Sequence, residues 1–432
     1  TSFDELRYFS GLSKIYGTAS NANYPSGAFS FCSNLSNISI PESVKSIGGA
    51  AFAYCTSLNM ALDFPNLEEI LDGAFYNSGI TSIKNLGKVV TFPYKNAYLD
   101  GSWKNLGVFS YCVNLSDAIL PKSLKSIGSY AFMGCTNLRN IVFEENNVEN
   151  INSYAFAETG YQGDVNYPHL KSIGYSAFYA TYITSVTNLG DISEISSSSG
   201  TSSGAYGWQY YGAFSYCKQL HTVVLPLDLT KIGNGSFLAD DALVNINLTE
   251  CTSLESVGSA AFNGCANLPL SFSDLNKLKS IGSAAFAGCK KVTGTVNLPN
   301  LETLGDRVFV ETGIEHVVDL GNITSFPRTT SVSVNGVWGA GAFALCPNLK
   351  SIVIPSTISV IPGNFLAKST SIAAIILKSG TPCTLESGAF SNTNSTFFIY
   401  VPDGAVGVYQ TATNWNAFAS RIKPMSEYIA WT

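Results

Sequence analysis

The chain has 432 residues, of which 46% are hydrophobic and only 12% charged, with a net charge of −6. That is ample for a large core, but the sparse Lys and Arg form no cluster, which excludes the electrostatic footprint of nucleic-acid or anionic-membrane binding. No apolar stretch approaches the ~20 residues of a membrane span, and the start at Thr1 points to a processed chain or a piece of a longer precursor.

From Phe29 onward one aromatic recurs: Phe29, Phe52, Phe75, Phe109, Phe132, Phe156, Phe178, Phe214, Phe237, Phe262, Phe286, Phe309, Phe343, Phe365 and Phe390. Eleven of the fourteen spacings are 22 to 25 residues and three are 34 to 36. A phase held this long by one large apolar residue marks a solenoid. Five residues before Phe comes an aliphatic, such as Ile47, Ile127, Val257, Ile281 or Val360, usually followed by Gly, as at Gly48, Gly128 and Gly282. Because Gly tolerates positive φ, a sharp turn is expected there. Downstream of Phe, segments such as Ile38-Ser39-Ile40-Pro41 alternate apolar and polar and end on Pro, the pattern of a half-buried strand with a terminator. Each coil is therefore read as a short strand, a turn, a second short extended piece and a tight turn around Ala-Phe. That last turn has no room for an α-helix and is expected to be 3₁₀. About fifteen such rungs at ~4.8 Å give a rod or arc of roughly 70 Å.

Three long repeats share a second pattern: Lys84-Asn85-Leu86-Gly87, Thr187-Asn188-Leu189-Gly190 and Val318-Asp319-Leu320-Gly321 each lead into about a dozen extra residues and a Trp. The inserts span residues near 87–108, 190–213 and 321–342 and carry Trp103, Trp208 and Trp338. A fourth, weaker copy runs from Leu12 through Tyr24 to Phe29. Starting at one phase of the coil, the inserts should leave the same side, three, four and five rungs apart, or roughly 14, 19 and 24 Å. Past Pro402 the repeat dissolves. Trp415, Phe418, Ala419 and Ile422 then sit at i, i+3, i+4 and i+7, the face of a short amphipathic helix. Residues 403–432 are read as a helical cap on the last strand edge.

The unit seen as Gly49-Ala-Ala-Phe52-Ala-Tyr-Cys55-Thr-Ser-Leu58, and as Gly341-Ala-Phe343-Ala-Leu-Cys346 through Ile352-Val-Ile354-Pro355, resembles the BspA-type leucine-rich repeat over about residues 25 to 400. The segments from Ser2 to Phe9 and from Tyr400 to Pro424 are similar to the start and end of surface proteins of this family from gut and oral anaerobes. The resemblance implies a right-handed leucine-rich-repeat solenoid, mainly of short strands and 3₁₀ turns. It also implies export to the cell surface, often on a lipid anchor upstream, and adhesion to host matrix or other bacteria. It brings no catalytic residues. The whole chain, 1–432, is read as a single solenoid with its C-terminal cap, and a monomer is expected.

Eight of the ten Cys stand three residues after Phe, at Cys32, Cys55, Cys112, Cys135, Cys217, Cys265, Cys289 and Cys346; Lys368 holds that position in the Phe365 repeat. Stacked equivalents point the same way rather than at one another, so buried thiols are favoured over disulfides. With no Cys-x-x-Cys and only His169, His221 and His316 on separate rungs, no metal, cofactor or catalytic triad is expected. The doublets Glu68-Glu69 and Glu144-Glu145 read as solvated turns.

Function is therefore sought on the surface. The inserts combine aromatic and small polar residues, the composition of adaptable recognition loops. Candidate ligand-binding residues are Tyr94, Tyr98, Trp103, Tyr206, Trp208, Tyr210, Tyr211 and Trp338. The Trp residues are expected to fold back and seal the widened coil, leaving the Tyr residues exposed. The alternative surface is the strand face, read from the residues two before each Pro, among them Ile119, Val224, Val353 and Tyr400. The reading is an extracellular binding or adhesion module for a protein or glycan. A structural spacer and a glycan-acting enzyme remain as alternatives.

Overall fold

The computed structural model describes residues 2–18, 27–99, 102–197, 201–204, 207–209, 211–272, 275–328 and 333–429. The side chains of residues 98, 99, 103, 201–204 and 207–209 lie outside the described set, as do Tyr24, Tyr206 and Tyr210. The chain forms a β-solenoid of about fifteen turns with few helices. It divides into two compact units, residues 1–196 with 212–226, and residues 197–211 with 227–432.

Each unit is built from parallel sheets, one rung per strand. In the first unit one sheet runs through Ala61–Asp63, Ser82–Asn85, Asp117–Leu120 and Asn140–Phe143. On the other side, Thr91–Phe92, Ser126–Ile127, Asn150–Ile151 and Ser172–Ile173 pair in register, which lines up Ile127, Ile151 and Ile173. The second unit repeats the plan with Lys231–Ile232, Ser256–Val257, Ser280–Ile281 and Thr303–Leu304. Its other sheet is longer, running from Thr293–Asn297 to Ile422–Pro424. Strands as short as two residues suffice where the aliphatic of one rung lands on its neighbour's, as Val257 does on Ile281.

The recurrent Phe is the spine of the core. In the first unit Phe29, Phe52, Phe75, Phe109, Phe132, Phe156, Phe178 and Phe214 stack with ring centroids 5.1–5.9 Å apart. In the second, Phe237, Phe262, Phe286, Phe309 and Phe343 continue the same arrangement at 5.3–6.3 Å. Backbone bonds fix each ring: Phe52 N–H donates to the Ala74 carbonyl and Phe262 N–H to that of Ala285.

One assignment shifts by a residue. Leu366, not Phe365, donates to the carbonyl of the next Ala, at position 389, and Ile361, not Val360, is buried. Ser369 then takes the place read for Lys368. Phe365 meets Phe343 edge-on at 75° and leans on Phe326 instead. Adjacent large apolar residues at 365–366 and 360–361 leave the frame ambiguous in sequence; the backbone pairing resolves it.

The Ala-Phe corner is the expected run of 3₁₀-type turns, with Ala51 N–H donating to the Gly48 carbonyl, Ala53 N–H to that of Ala50 and Cys55 N–H to that of Phe52; longer 3₁₀ helix occurs at Asp4–Tyr8, at Leu248–Glu250 and in the cap. Two residues before and two after Phe the backbone is left-handed, and most of these positions are not Gly: Ala50, Tyr54, Tyr130, Ala260 and Ala284 all have φ of 52–61°. The glycines four before Phe have a different task from the one expected. Their φ is ordinary, but a Cβ on Gly128 would stand 1.9 Å from the Phe92 carbonyl oxygen, and one on Gly282 2.3 Å from the Ser259 nitrogen. They are small because the neighbouring rung's backbone passes there.

All ten cysteines carry thiols, eight of them buried, while Cys32 is exposed and Cys383 half-buried. The ladder position has a bonding role. Cys55, Cys112, Cys135, Cys265, Cys289 and Cys346 each donate S–H to the Phe carbonyl one rung back, at 2.9–3.0 Å. Ser369 does the same to Phe343 at 2.8 Å. The doublet Glu68-Glu69 is not a solvated turn. Glu69 lies on a strand and accepts from Ser46, and Glu68 pairs with Lys45 at 2.9 Å.

The cap lies where expected but is built differently. Its α-helix is Val406–Thr411, while Trp415–Arg421 is 3₁₀ and Ile422–Pro424 adds a parallel strand to Phe398–Val401. Trp415 and Phe418, three apart, suit a three-residue turn. Trp415 is buried and donates Nε1–H to the Cys383 carbonyl, and Phe418 covers Phe390 and Phe397.

Candidate binding surface on hairpins and corner

The shared motif of the long repeats is a launching turn. Asn85, Asn188 and Asp319 each accept, on a side-chain oxygen, the N–H of the Gly two residues on, at 2.9 Å. Gly87, Gly190 and Gly321 take φ of 58–59°, and a Cβ on any of them would come within 2.5 Å of the preceding rung's backbone. The insert then forms an antiparallel hairpin, not a loop: Tyr94–Leu99 with Ser102–Gly107, Thr201–Gly204 with Gly207–Gln209, and Ser333–Val334 with Val337–Trp338. All three Trp stand on a returning strand. The signal missed in the sequence is Asp100-Gly101 and Asn335-Gly336, dipeptides that favour two-residue hairpin turns. Asn335 and Gly336, with φ of 45° and 77°, adopt that geometry.

Alternation gives each hairpin an inner and an outer face. In the first, Ala97 and Leu106 are buried against Ala50, Ala53 and Tyr76, with Tyr54 and Tyr111 at the margin. In the third, Val334 and Val337 are buried against Val310, Ala344 and Ala367. The inner faces rest on the Ala-Phe corner of several rungs, and both hairpins use the same phase of the coil. Polar ties lock the third: Asn364 Nδ2 donates to the Trp338 carbonyl at 2.7 Å, Lys368 to that of Asn335, and Asn335 to Glu311.

The aliphatic pairs seal the coil, so the expectation of inward-folding Trp fails where it can be checked. Trp338 is 65% exposed, because it sits opposite Ser333 in the alternation that leaves Val334 and Val337 inside. Tyr94 is exposed as expected; its hydroxyl donates to Asn105 at 3.2 Å and its ring meets Tyr130. Tyr98 and Trp103 are register partners, and Trp208 pairs with Ser203, but all three side chains lie outside the described set. Tyr211 is half-buried.

A feature without a signal in the insert composition is the corner itself. Across the first unit it carries a row of aromatics. Phe31 stacks on Tyr54 at 4.6 Å, Tyr54 meets Tyr76, and Tyr76 meets Tyr111. Tyr94 contacts Tyr130, which stacks on Tyr154 at 4.9 Å, and Tyr154 meets Tyr175 edge-on. Phe31, Tyr54, Tyr111, Tyr130 and Tyr154 all hold φ of 58–61°. An L-residue there costs about 1 kcal/mol relative to Gly. Burial raises the Tyr111 and Tyr130 pKa above the ordinary tyrosine value, so both stay neutral O–H donors in mildly alkaline solution.

The strand face is a weaker candidate. In the first unit exposed Ile119 stands beside exposed Val142, but Asp63 pairs with Asn85 and Asn166 with Asn188, so polar pairs interrupt that face; in the second, Val353, Ile376 and Tyr400 are register partners, with Ile376 buried. A polar hollow of about 280 Å³ around His169 is lined by Lys125, Glu149 and Lys171. Their charges satisfy one another, with Glu149 bridging the two lysines at 3.3 and 2.6 Å. His316 bonds Ser351 at 2.8 Å on its strand. Among the described residues no group of three His, Cys, Asp or Glu could hold a metal ion, and no helix is long and apolar enough to cross a membrane.

A family profile described as "BspA type Leucine rich repeat region (6 copies)" matches residues 7–100, 105–203, 210–331 and 337–414. Similar solved structures include a leucine-rich repeat protein from Bacteroides ovatus, 20% identical over 83% of each chain, with a TM-score of 0.47. The pneumococcal vaccine antigen PcpA is 16% identical over 88% of this chain and 83% of that one, with a TM-score of 0.39. A leucine rich cell surface protein from Faecalibacterium prausnitzii is 18% identical over 90% and 85%, with a TM-score of 0.32. No curated protein sequence matches the chain.

Proposed function

The chain belongs to the BspA-type leucine-rich repeat family, and from that premise we propose that it is an extracellular, surface-displayed binding module whose partner is a protein. The observation that carries the reading is Trp338, 65% exposed on a hairpin whose other alternation is anchored by Val334 and Val337. A large aromatic held out on a rigid support is the kind of residue that dominates protein interfaces, because little entropy is lost when it docks. The Tyr row extends the same logic. Rings stacked on each other at 8° and 14° offer a partner edges and hydroxyls rather than open faces. Sugar rings favour open aromatic faces, whereas polypeptide offers groups that can bond the hydroxyls, as Tyr-rich paratopes exploit.

The test is an array of matrix proteins and glycans exposed to the whole chain. Wild type is expected to bind polypeptide spots. Trp338→Ala, or Tyr94→Ser, should weaken the signal at least tenfold with the melting temperature unchanged within a few degrees. Signal confined to glycans, or unchanged in both variants, would overturn the reading.

A further inference from the structure

Beyond the first hairpin, the row on the first unit's corner has a period, a chemistry and a charge. Its accessible members are Tyr94, Tyr111, Tyr130, Tyr154 and Tyr175, all at least partly exposed. The steps Tyr94–Tyr130, Tyr130–Tyr154 and Tyr154–Tyr175 are 5.2, 4.9 and 5.4 Å between ring centroids. The row thus advances about one rung, ~4.8 Å, per ring. A β-strand laid along it would present same-side residues every ~6.7 Å, out of step with the rungs. A polyproline-II helix repeats every ~9.3 Å, close to two rungs at ~9.6 Å. Its backbone carries unpaired carbonyls and, at Pro, no N–H. Phenol hydroxyls with apolar ring edges between them complement that surface, although those of Tyr94 and Tyr111 already donate to Asn105 and Met133 and offer a partner only their oxygens. Such a helix is already ordered when free, so docking loses little entropy.

The charge comes from Glu158. The ring of Tyr111 lies over Gly134, where a Cβ would stand 2.5 Å from Tyr111 Cδ1. One rung further in the same column is Glu158, whose negative charge adds to burial in raising the Tyr111 pKa. Glu158 is exposed, and no ion pair is formed by it among the described residues. An exposed carboxylate beside a neutral aromatic row, on the rung of Tyr154, complements a cation.

We propose, building on the reading that this face binds protein, that the stretch from Tyr130 to Tyr175, with Tyr111 in the neighbouring column, takes a polyproline-II segment of its partner. Prolines three residues apart seat two rungs apart, and a basic side chain of the segment pairs with Glu158. The substitutions that test this are safe for the fold, since Ala260 and Ala284 occupy the corner position of Tyr130 and Tyr154 in the second unit with the same left-handed φ.

The experiment is calorimetric titration of the whole chain with a ten-residue peptide bearing prolines at three-residue spacing and one Arg. The controls are the same peptide with each Pro replaced by Ala, and a β-linked glucose hexasaccharide. The proline peptide should bind at least tenfold more tightly than its Ala version. Tyr130→Ala combined with Tyr154→Ala should remove at least tenfold of that affinity. Glu158→Gln should cost severalfold, and the loss should vanish when the peptide's Arg is replaced by a neutral residue. Equal affinity for the two peptides, indifference to the Tyr pair, or hexasaccharide binding lost in the Tyr pair would each overturn the inference. Protein-array signal that survives such a failure leaves the binding reading standing; no array signal from wild type removes that reading itself.

Discussion

The corners of the two units share a backbone and differ in what they display. In both, Phe N–H reaches the Ala carbonyl of the next rung at 2.7–2.8 Å, as at Phe52 and Phe262, and the flanking residues are left-handed. In the first unit those positions include Tyr54, Tyr111, Tyr130 and Tyr154 beside Ala50, Gly73, Asn77 and Ser176; in the second they hold Ala239, Ala260, Gly264, Ala284 and Gly288 beside Arg307, Glu311, Leu345 and Lys368, with no Tyr among the described left-handed residues. Since Ala and Gly hold the same corner, the tyrosines are not needed for the fold. A bulky residue kept repeatedly in a conformation that Gly adopts freely is better explained by what the surface does. Core and corner are separately variable.

The comparison is tested most severely through the core, where the units should behave alike. Phe132→Ala and Phe262→Ala should each destabilise their unit by about 3–5 kcal/mol in urea unfolding, because both rings are fully buried in equivalent stacks. A large inequality would mean that the two stacks are not equivalent. Next comes the seat of the hairpins. Leu106→Ala in the first unit should cost about 2–5 kcal/mol, and Val337→Ala in the second, which removes two methylene equivalents, about 1–3 kcal/mol. Both should accelerate hydrogen exchange in their hairpins, and Leu106→Ala should also raise exposure of Tyr76.

Smaller effects follow from the thiol ladder. Cys135→Ala leaves the Phe109 carbonyl without its S–H donor and should cost about 1 kcal/mol. Cys135→Ser should cost less, as Ser369 already fills that role in another rung. Thiol titration in denaturant without reductant should return all ten. Ala260→Tyr, which writes the first unit's corner onto the second, should change stability by less than about 1 kcal/mol. A larger loss would show that the second unit's corner cannot carry the row.

The smallest difference expected concerns surface ion pairs. Lys171 and Lys125 hold the Glu149 pKa below the ordinary Glu value, and Lys350 does the same for Glu315 in the second unit. A depressed folded pKa contributes stability that is present above the unfolded value near ~4.3 and is lost as pH falls through the folded one. Carboxyl titration by NMR should place both midpoints below that value, with little change in melting temperature because the pairs are solvated.

Much of this was legible in the sequence because a repeat reports each position many times. Outside the Phe365 repeat, the Phe register and the aliphatic five residues before it land where their periodicity puts them, as does the strand-ending Pro at Pro121, Pro355 and Pro402. What escaped was either local and single or dependent on a neighbouring rung. Gly128 and Gly282 look like turn glycines until the adjacent backbone is seen against them. Leu366 and Phe365 compete for one slot that only the interstrand bonds assign. The exposure of Trp338 depends on the hairpin register, which Asn335-Gly336 announces but an averaged repeat hides. The Tyr row is spread over several columns, two before, two after and three before Phe, so no single alignment column displays it.

The direction of the inter-rung hydrogen bonds has an electrical consequence. At the corner, amides point forward: Ala50 to Asp72, Phe52 to Ala74, Tyr54 to Tyr76. On the second strand they point back: Gly48 to Ile15, Glu68 to Lys45, Leu71 to Ile47. An α-helix aligns all its peptide dipoles and accumulates roughly half a charge at each end. Here the two arms of a turn oppose each other, so their axial contributions offset rather than accumulate as turns are added. Turns can then be gained or lost without an electrostatic penalty that grows with length, which leaves the number of repeats free to follow the size of whatever is bound.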